Sequence, residues 1–280
     1  MTPKLAAYLR RINYAGPLDR SLRTLRMLHR AHLLAIPYEN LDVQFGVPLS
    51  LDAGACFEKM VEGKRGGWCY EMNGLFAWAL RDLGFEISLV AGAANRKERG
   101  ADAEMNHLAI LVHLEQTYLA DVGFGNGSVL PVRLAQGTHS DGRFSFRLDR
   151  IEDGWWRFVN RPQSGDTFDF RETPYEMHAF AHKSESLQRD PSSYFVQNLV
   201  CHRFTDEGVV TLRGAVLTTI TPNEVREEIA QSGDQLAQIL RVQFDLQPQR
   251  MDELWERVHA RHGEWLASRN AGSLTQHQQR

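Results

Sequence analysis

Apolar positions in the first third of the chain recur every three or four residues, which is the spacing of one face of an α-helix. Residues 21–36 follow this spacing, and Pro37 is expected to end that helix. A second helix is predicted to begin after Ser50, its expected N-cap. A third is predicted to begin after Gly66-Gly67 and to have Gly84 as its C-cap. These patterns predict that residues 1 to about 85 are helical.

From about residue 86 to residue 200 the pattern changes to period two, interrupted by clusters of Gly, Asn and Asp. Such alternation predicts short strands that bury one face. The predicted strands are EISLVAG (86–92), HLAILVHLE (107–115), TYLADVGF (117–124), FSFRLDRI (144–151) and WWRFVN (155–160). Several short strands in succession favour an antiparallel sheet or barrel.

The last eighty residues mix both patterns. A hairpin is predicted around Gly214, and residues 221–224 match a capping box that predicts a helix over 225–231. Another helix is predicted over 251–266, and the polar end, 268–280, is expected to fray. The order of helices, then strands, then a mixed segment predicts the α+β class.

Composition adds limits on function. The chain has 280 residues, of which 42% are hydrophobic and 24% charged, and a formal net charge of −3. This balance argues against a nucleic-acid-binding surface. The longest apolar run, residues 108–114, is far too short to span a bilayer. The N-terminus has no signal-peptide pattern, so we expect a cytoplasmic protein.

The three cysteines, Cys56, Cys69 and Cys201, are too few for a disulfide framework and lack zinc-site spacing, so no metal site is expected. Cys56 lies within a helical pattern beside Phe57 and is interpreted as a core residue. Cys69 follows two glycines and opens a predicted helix, where unpaired N–H groups favour a thiolate. Cys69 is therefore either a nucleophile or a thiol that packs inward.

A nucleophilic cysteine needs a base, and the base needs a group that orients it. His107 opens one predicted strand and Asp121 ends the next, fourteen residues later. They share a face only if the hairpin loop has an odd number of residues or contains a bulge. His113, His29 and His32 are alternative bases among the eleven histidines, and Asp121 is alternatively a turn residue.

Four segments in this order resemble the arylamine N-acetyltransferases of the prokaryotic type. They are AHLLAIPYENLD (31–42), RGGWCYEMNGLF (65–76), HLAILV (107–112) and YLADVGFG (118–125). The resemblance is strong over the first 135 residues or so and weaker beyond. The sequence departs from the usual pattern of the family at Lys64, Tyr38 and AGAAN (91–95). None of these departures falls on Cys69, His107 or Asp121.

The resemblance implies a cysteine-proteinase-like core with a triad of Cys69, His107 and Asp121. It implies an N-terminal helical bundle over 1–85 that carries the nucleophile, and a central antiparallel β-barrel over 86–200 that carries His107 and Asp121. A C-terminal α/β lid would follow over 201–280.

The resemblance also implies the reactants. Acetyl-CoA would be the co-substrate, with no bound cofactor, and the acceptors would be arylamines, arylhydrazines or, by O-acetylation, N-hydroxyarylamines. Tyr38, Phe124 and Phe204 would line the acceptor pocket, whose aromatic walls would keep water from the acyl-enzyme. No membrane or nucleic-acid partner is expected, and the oligomeric state is open.

The glycine-rich segment 123–127 offers backbone amides, so Gly125 and Gly127 are candidate contacts for the phosphates of CoA. Three other functions compete with acetyl transfer. A cysteine hydrolase of the papain or transglutaminase type uses the same triad order, and an amide synthase is a related outcome. A non-enzymatic binding domain would have the three triad residues as accidental polar residues of its core.

Overall fold

Residues 1–161 and 164–277 are described by the computed structural model, with side chains as far as Glu264. The helices in this part of the chain are α1 (Pro3–Arg11), α2 (Leu22–Ala35), α3 (Leu41–Gln44), α4 (Ala53–Phe57), α5 (Cys69–Asp82), α6 (Arg96–Arg99), α7 (Ala181–Arg189), α8 (Tyr194–Gln197), α9 (Gly233–Phe244) and α10 (Met251–His277). A π-helical turn, Glu58–Glu62, extends α4, and 3₁₀ turns occupy Gly100–Ala103, Glu152–Gly154 and Met177–Phe180.

The strands are β1 (Tyr38–Glu39), β2 (Glu86–Ala94), β3 (His107–His113), β4 (Thr117–Leu119), β5 (Val132–Arg133), β6 (Gly137–Ser140), β7 (Ser145–Arg150), β8 (Trp156–Val159), β9 (Thr167–Tyr175), β10 (Val200–Phe204), β11 (Val209–Arg213), β12 (Val216–Ile220) and β13 (Val225–Ile229). All five predicted strands of the central region are confirmed, at least in part, and the sequence pattern missed β5, β6 and β9.

The helices predicted from apolar spacing form where expected, with one different cap. Helix α2 ends two residues before Pro37, and α5 ends shortly before Gly84. The N-cap of α4 is Asp52, whose Oδ1 accepts a hydrogen bond from the N–H of Ala55 at 2.9 Å. The prediction of Ser50 as the cap was wrong because its hydroxyl accepts from the N–H of Asp52 instead, at 3.1 Å.

The central strands form one antiparallel sheet in the order β5-β4-β3-β2-β9-β8-β7-β6. Its two edge strands, β5 and β6, follow one another in the chain with only residues 134–136 between them. Because so short a link holds both edges close together, the sheet is curled almost into a closed barrel. The predicted α+β class and antiparallel barrel are confirmed.

The second sheet has the order β1-β10-β11-β12-β13 and joins distant parts of the chain. β1 lies between α2 and α3, so the first 85 residues are not wholly helical. The predicted hairpin around Gly214 is confirmed by the β11–β12 pair. The predicted division into segments 1–85, 86–200 and 201–280 stays a prediction.

The helix predicted over 225–231 is wrong, because residues 225–229 are β13. The hydroxyl of Thr221 accepts from the N–H of Glu224 at 3.1 Å, which is the bond of a helix cap. The N–H of Thr221 also donates to the carbonyl of Glu224 at 2.9 Å, and this bond closes a hairpin. Val225 then pairs with Ile220 on β12.

The C-terminal helix predicted over 251–266 is confirmed as α10 and continues to His277. The expected fraying of the polar end stays a prediction, and residues 278–280 lie outside the described part of the chain. A separate core cluster joins α9 and α10 to the second sheet through Leu212, Leu236, Leu240 and Leu254.

Candidate active site

Cys69 is the first residue of α5, at the end of the helix where N–H groups lack intrahelical partners. The main-chain N–H of Trp68, the N-cap, donates to Glu71 Oε2 at 3.2 Å. Lys59 Nζ lies 2.9 Å from both oxygens of Glu71. Burial raises the pKa of Glu71 to about 7, against the charge of Lys59. The start of the helix is thus held by an internal cap and a buried cation.

The segment before Cys69 is held against β1. A side chain at Gly66 would collide with the carbonyl of Pro37, so only glycine fits there. The N–H of Glu39 donates to the carbonyl of Gly67 at 3.0 Å. Arg65 pairs with Glu39 at 2.8 Å and fixes the same segment through its side chain. The two motifs of residues 31–42 and 65–76 therefore act as one structural unit.

The hairpin of β3 and β4 places His107 and Asp121 on the same face. His113 pairs with Thr117, which leaves a three-residue loop and satisfies the predicted odd-number condition. The Nε2–H of His107 donates to Oδ2 of Asp121 at 2.6 Å. Both side chains are almost fully buried. Nδ1 is the ring nitrogen of His107 that this bond leaves for another partner.

Asn73 holds the carboxylate of Asp121 from the other side. Its Nδ2 donates to Oδ1 of Asp121 at 2.8 Å and to the carbonyl of Leu108 at 2.5 Å. Its Oδ1 accepts from the N–H of Val122 at 3.0 Å. Sequence reasoning missed this residue. The available signal was an amide one helical turn after Cys69 on a helix that is otherwise apolar on its buried face.

The loop after Asp121 packs directly on the nucleophile helix. A Cβ at Gly123 would lie 2.7 Å from the carbonyl oxygen of Cys69 and 2.9 Å from its Cα. The N–H groups of Gly123 and Phe124 both donate to Oδ1 of Asp121, at 2.8 and 3.1 Å. The structure thus brings together the start of α5 and the His107–Asp121 pair, as the sequence analysis predicts.

The charges in this cluster oppose free ionisation of the thiol. Burial, and then the charge of Asp121, raise the pKa of the Cys69 thiol well above its usual range. Hydrogen bonds from the backbone of Tyr70 and Leu108 act in the other direction and favour the thiolate. Burial alone would raise the pKa of Asp121. The charge of His107 and the hydrogen bonds to the carboxylate have the larger combined effect, so the pKa of Asp121 is lowered. The thiol therefore needs a proton acceptor inside the site.

The three predicted pocket residues differ in how closely they approach the candidate catalytic residues. The Phe124 ring packs edge-on against His107 with centroids 5.6 Å apart, and against Phe168 at 4.9 Å. Burial, and then the nearby Cys69, raise the pKa of the Tyr38 hydroxyl. Phe204 is buried on β10, in the same core cluster as Cys69 and Tyr38. The assignment of these three residues to an acceptor pocket stays a prediction.

Beside Asp121 and Phe124 lies a cavity of about 10 Å³, which has room for roughly one water molecule. His29, Leu119 and Phe158 are among the other residues that line it. A flat aromatic molecule does not fit a space of this size.

Gly125 has φ +82°, and its backbone lies against the ring of His202 so closely that a Cβ would overlap it. The first two amides of this glycine-rich loop already bind Asp121. Gly127 packs against Phe124, where a Cβ would lie 3.3 Å from its ring. The proposed contacts of Gly125 and Gly127 with CoA stay predictions. His202, which sequence reasoning missed, faces this loop and lies on the same face of β10 as Phe204, two residues later.

The alternative histidines bind other groups. The Nδ1 of His29 donates to the carbonyl of Val129 at 3.0 Å, His32 is hydrogen-bonded to the hydroxyl of Tyr8 at 2.9 Å, and His113 to that of Ser88 at 2.8 Å. Within the described residues none of the three is hydrogen-bonded to a carboxylate. Of the four candidate bases, His107 alone has the orienting partner that the chemistry requires.

Two further properties of the described residues bear on function. No group of three or more His, Cys, Asp or Glu side chains among them is placed to hold a metal ion. In the same part of the chain, every helix is too short or too polar to cross a membrane.

Comparison with known proteins assigns the chain to a family. A family model described as N-acetyltransferase matches residues 21–252. The arylamine N-acetyltransferase of Escherichia coli is 35% identical, over 76% of this chain and 77% of that protein. The arylamine N-acetyltransferase / N-hydroxyarylamine O-acetyltransferase of Salmonella typhimurium is 32% identical, over 88% of this chain and 90% of that protein.

A solved structure shows the same fold. The arylamine N-acetyltransferase of Mycobacterium marinum in complex with CoA superposes with a TM-score of 0.82 at 28% sequence identity. The match covers 91% of this chain and 98% of that one. The similarity therefore extends beyond the four sequence motifs to most of both chains.

Proposed function

The chain belongs to the arylamine N-acetyltransferase family, which is a family of acyltransferases, and from this premise we propose that it moves an acetyl group from acetyl-CoA to aromatic amines through Cys69. The observation that carries the proposal is the 2.6 Å bond between His107 Nε2 and Asp121 Oδ2, beside the helix that begins at Cys69. His107 acts as the base and Asp121 as its orienting group.

In the first half-reaction, the thiol proton of Cys69 moves to Nδ1 of His107, and the charge of Asp121 stabilises the imidazolium. The thiolate attacks the carbonyl carbon of the acetyl thioester. The bond from that carbon to the CoA sulfur breaks, and the CoA thiolate takes the proton from His107. An acetyl thioester on Cys69 and free CoA result.

In the second half-reaction, the amine nitrogen attacks the acetyl carbon and its proton moves to His107. The bond to Sγ of Cys69 breaks, and the sulfur recovers the proton from His107. An N-hydroxyarylamine that attacks through its oxygen gives the O-acetyl product by the same steps. The name of the Salmonella typhimurium relative includes this second activity.

The aromatic residues around the thiol support acceptors that are flat and apolar. Tyr38, Phe124 and Phe204 are proposed as the walls of the acceptor pocket. The name of the M. marinum structure supports CoA as the carrier of the donor group, and Gly125 and Gly127 remain the proposed contacts for its phosphates. Exclusion of water by these walls favours aminolysis over hydrolysis of the acyl-enzyme.

A transient-kinetic experiment tests the proposal. Mixing the protein with acetyl-CoA in the absence of amine is expected to release about one equivalent of CoA thiol in a burst. With amine present, double-reciprocal plots of the initial velocity are expected to give parallel lines. Cys69→Ala abolishes the burst, whereas Cys56→Ala keeps it. Intersecting plots without a burst contradict the covalent route, and steady CoA release without amine indicates a hydrolase instead.

A further inference from the structure

Arg161 is one of the largest fully buried side chains, with a relative exposure of 1%. It follows β8, and its Nη1 donates to the main-chain carbonyl of Asn126 at 2.8 Å. Its guanidinium carbon lies 4.9 Å from the centre of the Phe144 ring. Arg161 therefore contacts the same loop, residues 123–127, that carries Phe124 and follows Asp121.

The other edge of this guanidinium has no hydrogen-bond partner among the described residues. Nε and Nη2 are buried and make no hydrogen bond within residues 1–161 and 164–277. The nearby carboxylate of Asp166 accepts from Asn126 Nδ2 at 3.2 Å rather than pairing with Arg161. Buried arginines are normally paired, because an uncompensated buried charge costs several kcal/mol. An unpaired buried guanidinium edge therefore needs a partner that the described part of the chain does not supply.

The geometry of the free atoms restricts that partner. Nε–H and one N–H of Nη2 point the same way from the planar guanidinium group, as two parallel donors. This arrangement matches two oxygens of one anion, and a carboxylate or a phosphate fits it. Water offers a single oxygen and carries no compensating charge.

A second buried polar atom lies in the same neighbourhood. Nδ1 of His202 has no hydrogen-bond partner among the described residues. Burial, and then the charge of Arg161, lower the pKa of His202 to about 3, so its ring is neutral at physiological pH. The ring of His202 packs against Tyr38 with centroids 5.3 Å apart, and Tyr38 lies beside Cys69. His202 thus connects the surroundings of the thiol with those of Arg161.

We propose that Arg161, with His202, forms a buried subsite for an oxyanion, either a carboxylate on the aromatic acceptor or a phosphate of the donor. The acceptor form rests on the proposed function, because it assumes that an aromatic amine reaches Cys69. The depth of Arg161 favours the carboxylate, since a small planar group fills a buried site more readily than the phosphates of a long donor. Binding there selects among ligands by charge and leaves the bond-making steps at Cys69.

Benzoate and benzamide test the carboxylate directly, because they have the same shape and differ in charge. Benzoate is expected to bind the wild-type protein about tenfold to a hundredfold more tightly than benzamide, as measured by the dependence of the melting temperature on ligand concentration. This ratio should fall toward one in Arg161→Met and only partly in Arg161→Lys, which keeps the charge without the two parallel donors. Arg147→Met, which removes an exposed arginine of the same sheet, should keep the ratio.

The donor form is tested by acetyl-CoA against acetyl-pantetheine, which lacks the phosphates. If Arg161 binds a phosphate, Arg161→Lys slows acylation of Cys69 by acetyl-CoA but does not change the acylation rate with acetyl-pantetheine. In that case benzoate binds no more tightly than benzamide. The proposal is overturned if wild-type protein shows no preference for benzoate and Arg161→Lys treats both donors like wild type. Since benzoate binding requires no acetyl transfer, failure of this subsite and failure of the proposed reaction give different results.

Discussion

Cys69 and Cys56 are both buried thiols in the same core cluster, with relative exposures of 3% and 1%. Burial raises the pKa of both, to about 12 for Cys56. They differ in their neighbours. Cys56 lies in the last turn of a short helix, and its thiol is directed to the carbonyl of Ser50 at 3.5 Å. Cys69 opens a helix beside the His107–Asp121 pair.

The comparison shows that neither burial nor location on a helix identifies a nucleophile. Near Cys56 the accepting group is a neutral carbonyl, which cannot take up a proton. Near Cys69 the proposed proton acceptor is the imidazole of His107, which the carboxylate of Asp121 orients, and the N–H groups of the helix start favour the thiolate. Cys201, on β10, packs into the second core cluster on the opposite face from His202 and provides a third, inert reference.

The largest effect should separate the two cysteines. Cys69→Ala is expected to lower acetyl transfer by at least about 10⁴-fold, because no other group in the site can carry the acetyl. Cys56→Ala should change the rate by about twofold or less. Initial rates with acetyl-CoA and a simple arylamine measure both, and comparable losses in the two variants would remove the distinction.

The second effect concerns the orienting group. Asp121→Asn keeps the shape of the site but removes the charge that stabilises the imidazolium, so kcat/KM is expected to fall by about 10³- to 10⁴-fold. The rate of Cys69 alkylation by iodoacetamide should fall as well, while that of Cys56 should stay slow and unchanged. An alkylation rate like that of wild type would show that Asp121 does not support the thiolate.

Asn73 is expected to have a smaller effect because it acts through Asp121. Asn73→Ala removes the hydrogen bonds to Asp121 and Val122 and should lower kcat/KM by about tenfold to a hundredfold. The pH at which Cys69 becomes reactive to alkylation should also shift, which loss of stability alone would not cause. Asn73→Asp adds a second carboxylate beside Asp121 and should not restore the rate.

The buried histidines are expected to affect stability alone, without a direct effect on the reaction. Burial lowers the pKa of His29 from 6.5 to about 4, so the folded state binds fewer protons than the unfolded state between these values. Stability from this residue is complete above pH 6.5 and falls by roughly 3 kcal/mol as the pH drops to 4. When the free energy of unfolding, measured with denaturant, is plotted against pH, His29→Gln should reduce the slope between pH 4 and 6.5. An unchanged slope would refute the assignment of this pH dependence to His29.

Local patterns predicted the elements whose partners lie nearby in the chain. The spacing of α5 and the three-residue loop between β3 and β4 depend on residues close in sequence. The pairing of His107 with Asp121 could therefore be predicted from the sequence. The capping bond of Thr221 was equally local and formed as expected. The helix inferred from this bond did not form, because the pairing of Val225 with Ile220 determines the conformation of β13.

The missed residues depend on contacts between distant segments. Asn73 binds Asp121 from forty-eight residues away, and Arg161 binds Asn126 from thirty-five residues away. Nothing in the sequence near Arg161 indicates that it is buried or that one edge of it is unpaired. The role of such a polar side chain becomes apparent only when the fold shows which residues surround it.

The most direct test of the central claim locates the acetyl group. The protein is mixed with isotopically labelled acetyl-CoA without amine, digested at low pH, and mapped by mass spectrometry. We expect label on the peptide that contains Cys69, none on those with Cys56 or Cys201, and loss of the label when an arylamine is added before digestion. Label on another cysteine, or label on Cys69 that an arylamine does not remove, would contradict the account.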